Sequence, residues 1–203
     1  TLTSQGGTWS GVSLSGNYSG DFRLDYADYW NAPASVSGYG TALITNSFLG
    51  QSAASLVDTA SVVVEGSTIA ASAGDIPLDV SGSTVTSISG SEFQGNSSAY
   101  LISNLGAYYL ENVTGNAMTG TVTDSDIKLY SSVQRCIDSA HVWSQPASYY
   151  VASDVCIDSA GSVTFSGLEG TQWKFAGIAG FVPSISGPGS LDVAGAAGNL
   201  VHF

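Results

Sequence analysis

The sequence predicts an all-β fold, a right-handed parallel β-solenoid of about 20–24 residues per coil, on three observations. A short phrase recurs along the chain: LSGNYSGD at 14–21, ITNSFLGQ at 44–51, VEGSTIAAS at 64–72, ISGSEFQGN at 88–96 and LENVTGN at 110–116. Each copy carries an aliphatic residue, one further residue, and then Gly or Asn. These corner positions are Gly16, Asn46, Gly66, Gly90 and Asn112, and the last three spacings are 20, 24 and 22 residues. Gly and Asn enter the left-handed backbone region most readily, so their recurrence at one phase implies one sharp corner per coil. Second, helix signals are nearly absent. Third, the chain is 43% hydrophobic yet only 10% charged, so its polar surface is built from Ser, Thr, Asn and Gly.

Short β-branched or alternating runs follow one another at 12–14, 22–26, 42–44, 61–64, 85–88, 100–102, 108–110, 121–123, 127–130, 149–151 and 162–165, separated by Gly, Ser, Asn and Asp clusters. Stacked coils place residues of one phase in ladders. Ile44, Val64, Ile88 and Leu110 are expected inside, as are Phe48, Ile69 and Phe93 one corner further on. The 203 residues form a single domain, with coils over 14–164. The 30 residues from Gly16 to Asn46 imply an insertion near 25–38, and 165–203 form closing coils or a terminal sheet. The alternative is a β-sandwich, pilin-like domain that donates residues 1–14 to a neighbour, since sandwich strands also recur at short intervals.

The copy at 88–96 resembles the repeats of the pectate-lyase-like β-helix superfamily, whose coils often read I-x-N-N-x-F-x-G-N. The resemblance covers 14–116 and fades after about residue 130. It implies a fold and no single activity, because that superfamily includes enzymes, adhesins and structural proteins.

Cys136 and Cys156 each open the same pentapeptide, CIDSA, 20 residues apart. Neighbouring strands would bring their Cα atoms within disulfide range, which predicts a Cys136–Cys156 bridge and an oxidising compartment. If Ile137 and Ile157 point inward, Asp138 stacks on Asp158 outside, where splaying into water competes with calcium binding. No cofactor is expected to be required, and calcium is the cation that this carboxylate pair suits.

Net charge is −12, with Arg23, Lys128, Arg135 and Lys174 the only cations. No basic patch for nucleic acid or anionic lipid can be built from them. No run of apolar residues is long enough for a membrane-spanning helix. The start at Thr1 is consistent with a removed signal peptide.

The expected role is therefore that of an extracellular or cell-surface structural protein: a self-assembling subunit of a fibre, sheath or adhesin, with copies of itself as partners. Low charge and the absence of a capping helix at either terminus argue for end-to-end contact. The alternative is a carbohydrate-binding or carbohydrate-cleaving module with Tyr26, Tyr29, Trp30 and Tyr39 as stacking rings and Asp25 and Asp28 as hydroxyl acceptors. Enzymatic activity is not expected. There is no GxSxG elbow, His141 reads as a packed strand residue, and Arg135 near Asp138 is the only cation–acid neighbourhood of interest. Glycosylation sequons occur at Asn17, Asn96 and Asn112, in a chain where Ser and Thr make such triplets frequent by chance.

Overall fold

In the computed structural model the protein is a parallel β-solenoid of about seven turns. The structure describes residues 11–132, 135–168, 170–177, 183–193 and 201–203. Every strand pairing among them is parallel, which excludes the sandwich alternative, since hairpin-linked sandwich strands run antiparallel.

The coil has three faces. In the first two coils, Val12–Asp25 and Ala34–Thr45 each run through two faces. The front half of Ala34–Thr45 pairs with Ala54–Val57 and its back half with Ser61–Glu65. Ala54–Val57 begins a first face that continues through Leu78–Asp79, Ile102–Leu105, Ile127–Leu129, Tyr149–Val151 and Trp173–Phe175. Ser61–Glu65 begins a second, continuing through Val85–Ser89 and Val113–Thr114. The third is built from Asp28–Trp30, Phe48–Gly50, Thr68–Ala70, Glu92–Ser98 and Ala117–Val122.

One interior ladder tracks the whole stack. Val12, Ala34, Ala54, Leu78, Ile102, Ile127, Tyr149 and Trp173 are successive register partners. From Ala34 onward every member is buried. The side chain grows along the stack from Ala through Leu and Ile to Tyr and Trp, so the core changes from aliphatic to aromatic. At the far end Trp173 stacks on Tyr149 with ring centroids 4.1 Å apart, and Trp143 and Phe165 join the same stack. On the second face the ladder reads Leu24, Ile44, Val64, Ile88 and Val113. Val113 thus takes the place expected for Leu110, which is buried in a 3-10 helix, Ala107–Asn112, where 108–110 reads as a strand from sequence. On the third face Tyr29, Leu49, Ile69 and Phe93 face inward. Phe48, expected inside, is half-buried and points outward.

The corners revise the expected phase. Asn46, Gly66 and Gly90 hold the left-handed corner between the second and third faces, with φ of 48°, 55° and 57°. The partners before and after them are Tyr26 (φ 50°) and Gly115 (φ 63°). Gly16 lies inside the strand Val12–Asp25, and Asn112 ends the 3-10 helix. Counting from Gly16 created the apparent insertion. Residues 25–38 are an ordinary coil, in register with 45–58: Asp25 pairs with Thr45, Asp28 with Phe48 and Ala34 with Ala54. Beyond residue 165 the described segments are closing coils, with Ser190–Asp192 on Ser162–Phe165 and Ile185–Ser186 on Val155–Cys156.

Polar residues just past the left-handed corner form a buried column. The backbone N–H of Ala27 donates to Ser47 Oγ (3.0 Å), that of Ser47 to Ser67 Oγ (3.1 Å) and that of Ser67 to Ser91 Oγ (3.2 Å). The Ser91 N–H donates to Asn116 Oδ1 (3.0 Å), and the Asn116 N–H to Gln145 Oε1 (2.9 Å). Each serine hydroxyl also donates to the carbonyl two residues earlier in its own coil. The column supplies acceptors to amides that the corner turns away from the sheet ladders, as buried donors require.

Candidate functional site

The stretch 25–39 is built into the first complete coil, and alternation sorts its side chains. Tyr29 points inward and is fully buried. Its hydroxyl donates to the Pro33 carbonyl (2.9 Å) and accepts from the Val12 N–H (3.1 Å). Burial raises its pKa. Tyr29 is therefore a core residue and offers no ring to a sugar. Asp25 accepts from Thr45 Oγ1 (2.7 Å) and pairs with Arg23 (2.9 Å); the Thr45 hydroxyl, then the Arg23 guanidinium, hold its carboxyl below the usual carboxylate range. Tyr26 is 81% exposed at the corner. Asp28 accepts from Trp30 Nε1, and the Trp30 ring lies 4.9 Å from Phe48. Both rings lie over Gly50, where an added Cβ would come within 2.5 Å of each. The side chains of Tyr39 and Asn17 lie outside the described residues. What this stretch presents is thus Tyr26, Asp28 and Trp30, with Phe48 added from the next coil.

Cys136 and Cys156 form a disulfide with Cα atoms 4.5 Å apart. Ile137 bridges Ile157, both inward, so the coil-to-coil duplication of CIDSA is real. Asp138 and Asp158 are exposed one coil apart. Asp138 Oδ1 lies 3.5 Å from the Tyr108 hydroxyl, and Asp158 Oδ1 accepts from the Ser159 N–H (2.6 Å). Among the described residues no cluster of three or more His, Cys, Asp or Glu side chains that could hold a metal ion occurs. Two carboxylates alone fall short of the six to eight oxygens that calcium takes. Of the described sequon residues, Asn96 is exposed, while the Asn112 amide donates to the Val85 carbonyl (2.8 Å).

A cleft of about 400 Å³ lies elsewhere, where the 3-10 helix leaves the regular coil. Its walls include Asn104, Tyr108, Tyr109, Ser132, Arg135 and Asp154. The Arg135 guanidinium sits 3.6 Å from the centre of the Tyr108 ring and donates to the Tyr108 hydroxyl (2.9 Å). Contact with Tyr109, then the Tyr108 and Tyr109 hydroxyls and the Asp138 carboxylate, raises its pKa and keeps it charged. The other cations are also engaged. Arg23 pairs with Asp25, Lys174 with Asp124 (3.5 Å), and Lys128 lies over the rings of Tyr100 and Tyr130.

Behind Tyr108 lies His141, whose ring meets the Tyr108 ring edge-on at 4.9 Å. It is 2% exposed, on the strand Ala140–Trp143, as expected for a packed strand residue. Its Nδ1 lies 3.3 Å from Glu111 Oε1, and its Nε2 lies 3.3 Å from Ser139 Oγ. Sequence reasoning missed the cleft because its walls at Tyr108, Arg135 and Asp154 come from successive coils. The visible signals were the adjacent pair Tyr108–Tyr109 and Arg135 near Asp138.

No protein-family model matches this chain, and no curated protein or solved structure matches it significantly.

Proposed function

We propose that the protein is an extracellular structural or adhesive subunit that assembles end to end into a fibre or sheath. The observation behind this reading is the 14-residue strand Val12–Asp25, which pairs with Ala34–Thr45 on one side and, among the described residues, with nothing on the other. A long open edge is a template for another strand. At the opposite end Trp173–Phe175 is the last described strand of the first face. Residues 201–203 lie on that strand, with Gln172 bridged to His202 and the Trp173 N–H donating to the His202 carbonyl, so a second copy would stack beyond them, a head-to-tail contact that repeats without closing. The disulfide supports an oxidising, extracellular setting, and kinship with the pectate-lyase-like superfamily is part of this proposal. Sedimentation velocity over a concentration series tests it. Wild type should grow with concentration. Ser13→Lys with Ser15→Lys, at exposed positions of the edge strand, should remain monomeric. A wild type that stays monomeric, or a variant that grows equally, would contradict it.

A second reading, glycan binding, is favoured by the cleft at Tyr108, Tyr109 and Arg135, which sets a planar cation and aromatic rings among hydroxyls and amides. Titration calorimetry with acidic and neutral oligosaccharides tests it, with Arg135→Ala as the variant expected to lose binding and Trp30→Ala as the control that separates this cleft from the Trp30–Phe48 surface.

A further inference from the structure

Ser139, His141 and Glu111 stand in the order of a nucleophile, a base and a carboxylate that orients the base. The two ring nitrogens of His141 address different partners, Glu111 at Nδ1 and Ser139 at Nε2. Glu111 favours a proton on Nδ1, which leaves the Nε2 lone pair to Ser139 Oγ; that tautomer is the one a general base needs. The base is buried and the nucleophile exposed, so the ring is held in place by its packing while a substrate can reach Ser139. Both approaches are 3.3 Å, and the one at Nδ1 is an ion-pair approach rather than an aligned hydrogen bond. Such contacts are commonly loose in a free enzyme and tighten in the complex.

The surroundings supply what a bare triad lacks. Asp138 Oδ1 lies 3.5 Å from Ser139 Oγ and 3.5 Å from the Tyr108 hydroxyl, which accepts from Arg135. A chain of contacts therefore leads from Ser139 to the hydroxyl- and amide-lined cleft, a surface suited to a hydroxyl-rich alcohol. The protein also carries its own reference. Ser159 occupies the same place in the second CIDSA copy, exposed like Ser139, but the register partner of His141 in that coil is Val163, which offers no base.

We propose that Ser139 is an activated nucleophile, with His141 as its base and Glu111 as a positioning residue, acting on acyl esters of hydroxyl-rich alcohols. Ser139 Oγ bonds to the acyl carbon as its proton passes to His141 Nε2. The ester C–O bond breaks, and that proton leaves with the departing alcohol. Water, deprotonated by the same nitrogen, then releases the acyl group as the acid and restores Ser139. This activity is independent of assembly.

The test is labelling of the intact, disulfide-bonded protein with a fluorophosphonate, with adducts located and timed by peptide mass spectrometry. Ser139 should be labelled at least about 100-fold faster than Ser159, the contribution expected of a positioned base. His141→Gln should bring Ser139 down to the Ser159 rate. Glu111→Gln should slow Ser139 about 10-fold without changing Ser159, and Glu111→Asp should restore part of the rate, a selectivity that a general loss of structure would not give. If Ser139 in the wild type is labelled no faster than Ser159, the proposal is overturned without recourse to any variant. It is also overturned if His141→Gln leaves the rate unchanged.

Discussion

Tyr26 is an anomaly among the corner residues. Asn46, Gly66, Gly90 and Gly115 hold the same left-handed corner, and these are the residue types that tolerate it. An exposed tyrosine at φ 50° bears strain that local structure does not require, and such strain is often kept where a surface is used. Tyr26→Asn is expected to raise stability by about 1 kcal/mol, read from the urea unfolding midpoint. Gly90→Ala should lower it by about 1–2 kcal/mol. An added Cβ at Gly90 meets nothing within 4 Å, so that loss isolates the backbone term. Titration acts at the same scale. Burial, with the Asp126 carboxylate in second place, raises the Tyr149 pKa well above its ordinary value of 10.0. The unfolded chain loses this proton near pH 10 while the folded one keeps it. Stability from this group is therefore intact below about pH 10 and is lost as pH rises toward the folded value. An alkaline series should show the unfolding midpoint falling above pH 10, and less steeply in Tyr149→Phe. That variant should also lose about 1 kcal/mol at neutral pH, with the hydrogen bond to the Gln145 carbonyl.

At the scale of the element, the serine column and the disulfide hold neighbouring coils together by different means. Ser67→Ala removes the acceptor of the buried Ser47 N–H and should cost about 1–3 kcal/mol, where Ser72→Ala, which removes only a solvent-facing donor to the Gln51 carbonyl, should cost less. Replacing Cys136 and Cys156 with Ser should lower stability by about 3 kcal/mol on the chain-entropy model for a loop of this size. This is also the scale at which the sequence was most and least legible. The bridge could be read because CIDSA repeats at the coil period with Ile137 and Ile157 in phase. The corner could be read where Asn or Gly marked it, at 46, 66 and 90. It was misread where the marker residue sat elsewhere. Gly16 falls within a strand, and Asn112 is displaced by the 3-10 helix, which lets the leucine of that copy pack inside without joining the ladder. Tyr26 gives no local sign of a left-handed backbone, so an ordinary coil passed for an insertion, and Tyr29 passed for a surface ring although its hydroxyl is tied to Pro33. The cleft and the Glu111–His141–Ser139 contacts were not legible, because coil stacking joins residues about 30 positions apart at a place where the repeat is broken.

At the scale of the molecule, each coil buries its inner face only against its neighbours, so stability is shared along the stack. Among the described residues, the edge strand Val12–Asp25 has the length and the unpaired side to accept another copy. The central claim is end-to-end assembly, and electron microscopy of the native protein at increasing concentration tests it most directly. The account predicts ordered filaments whose axial repeat is built on the roughly 4.8 Å spacing of stacked coils. Monodisperse single particles at every concentration would contradict it.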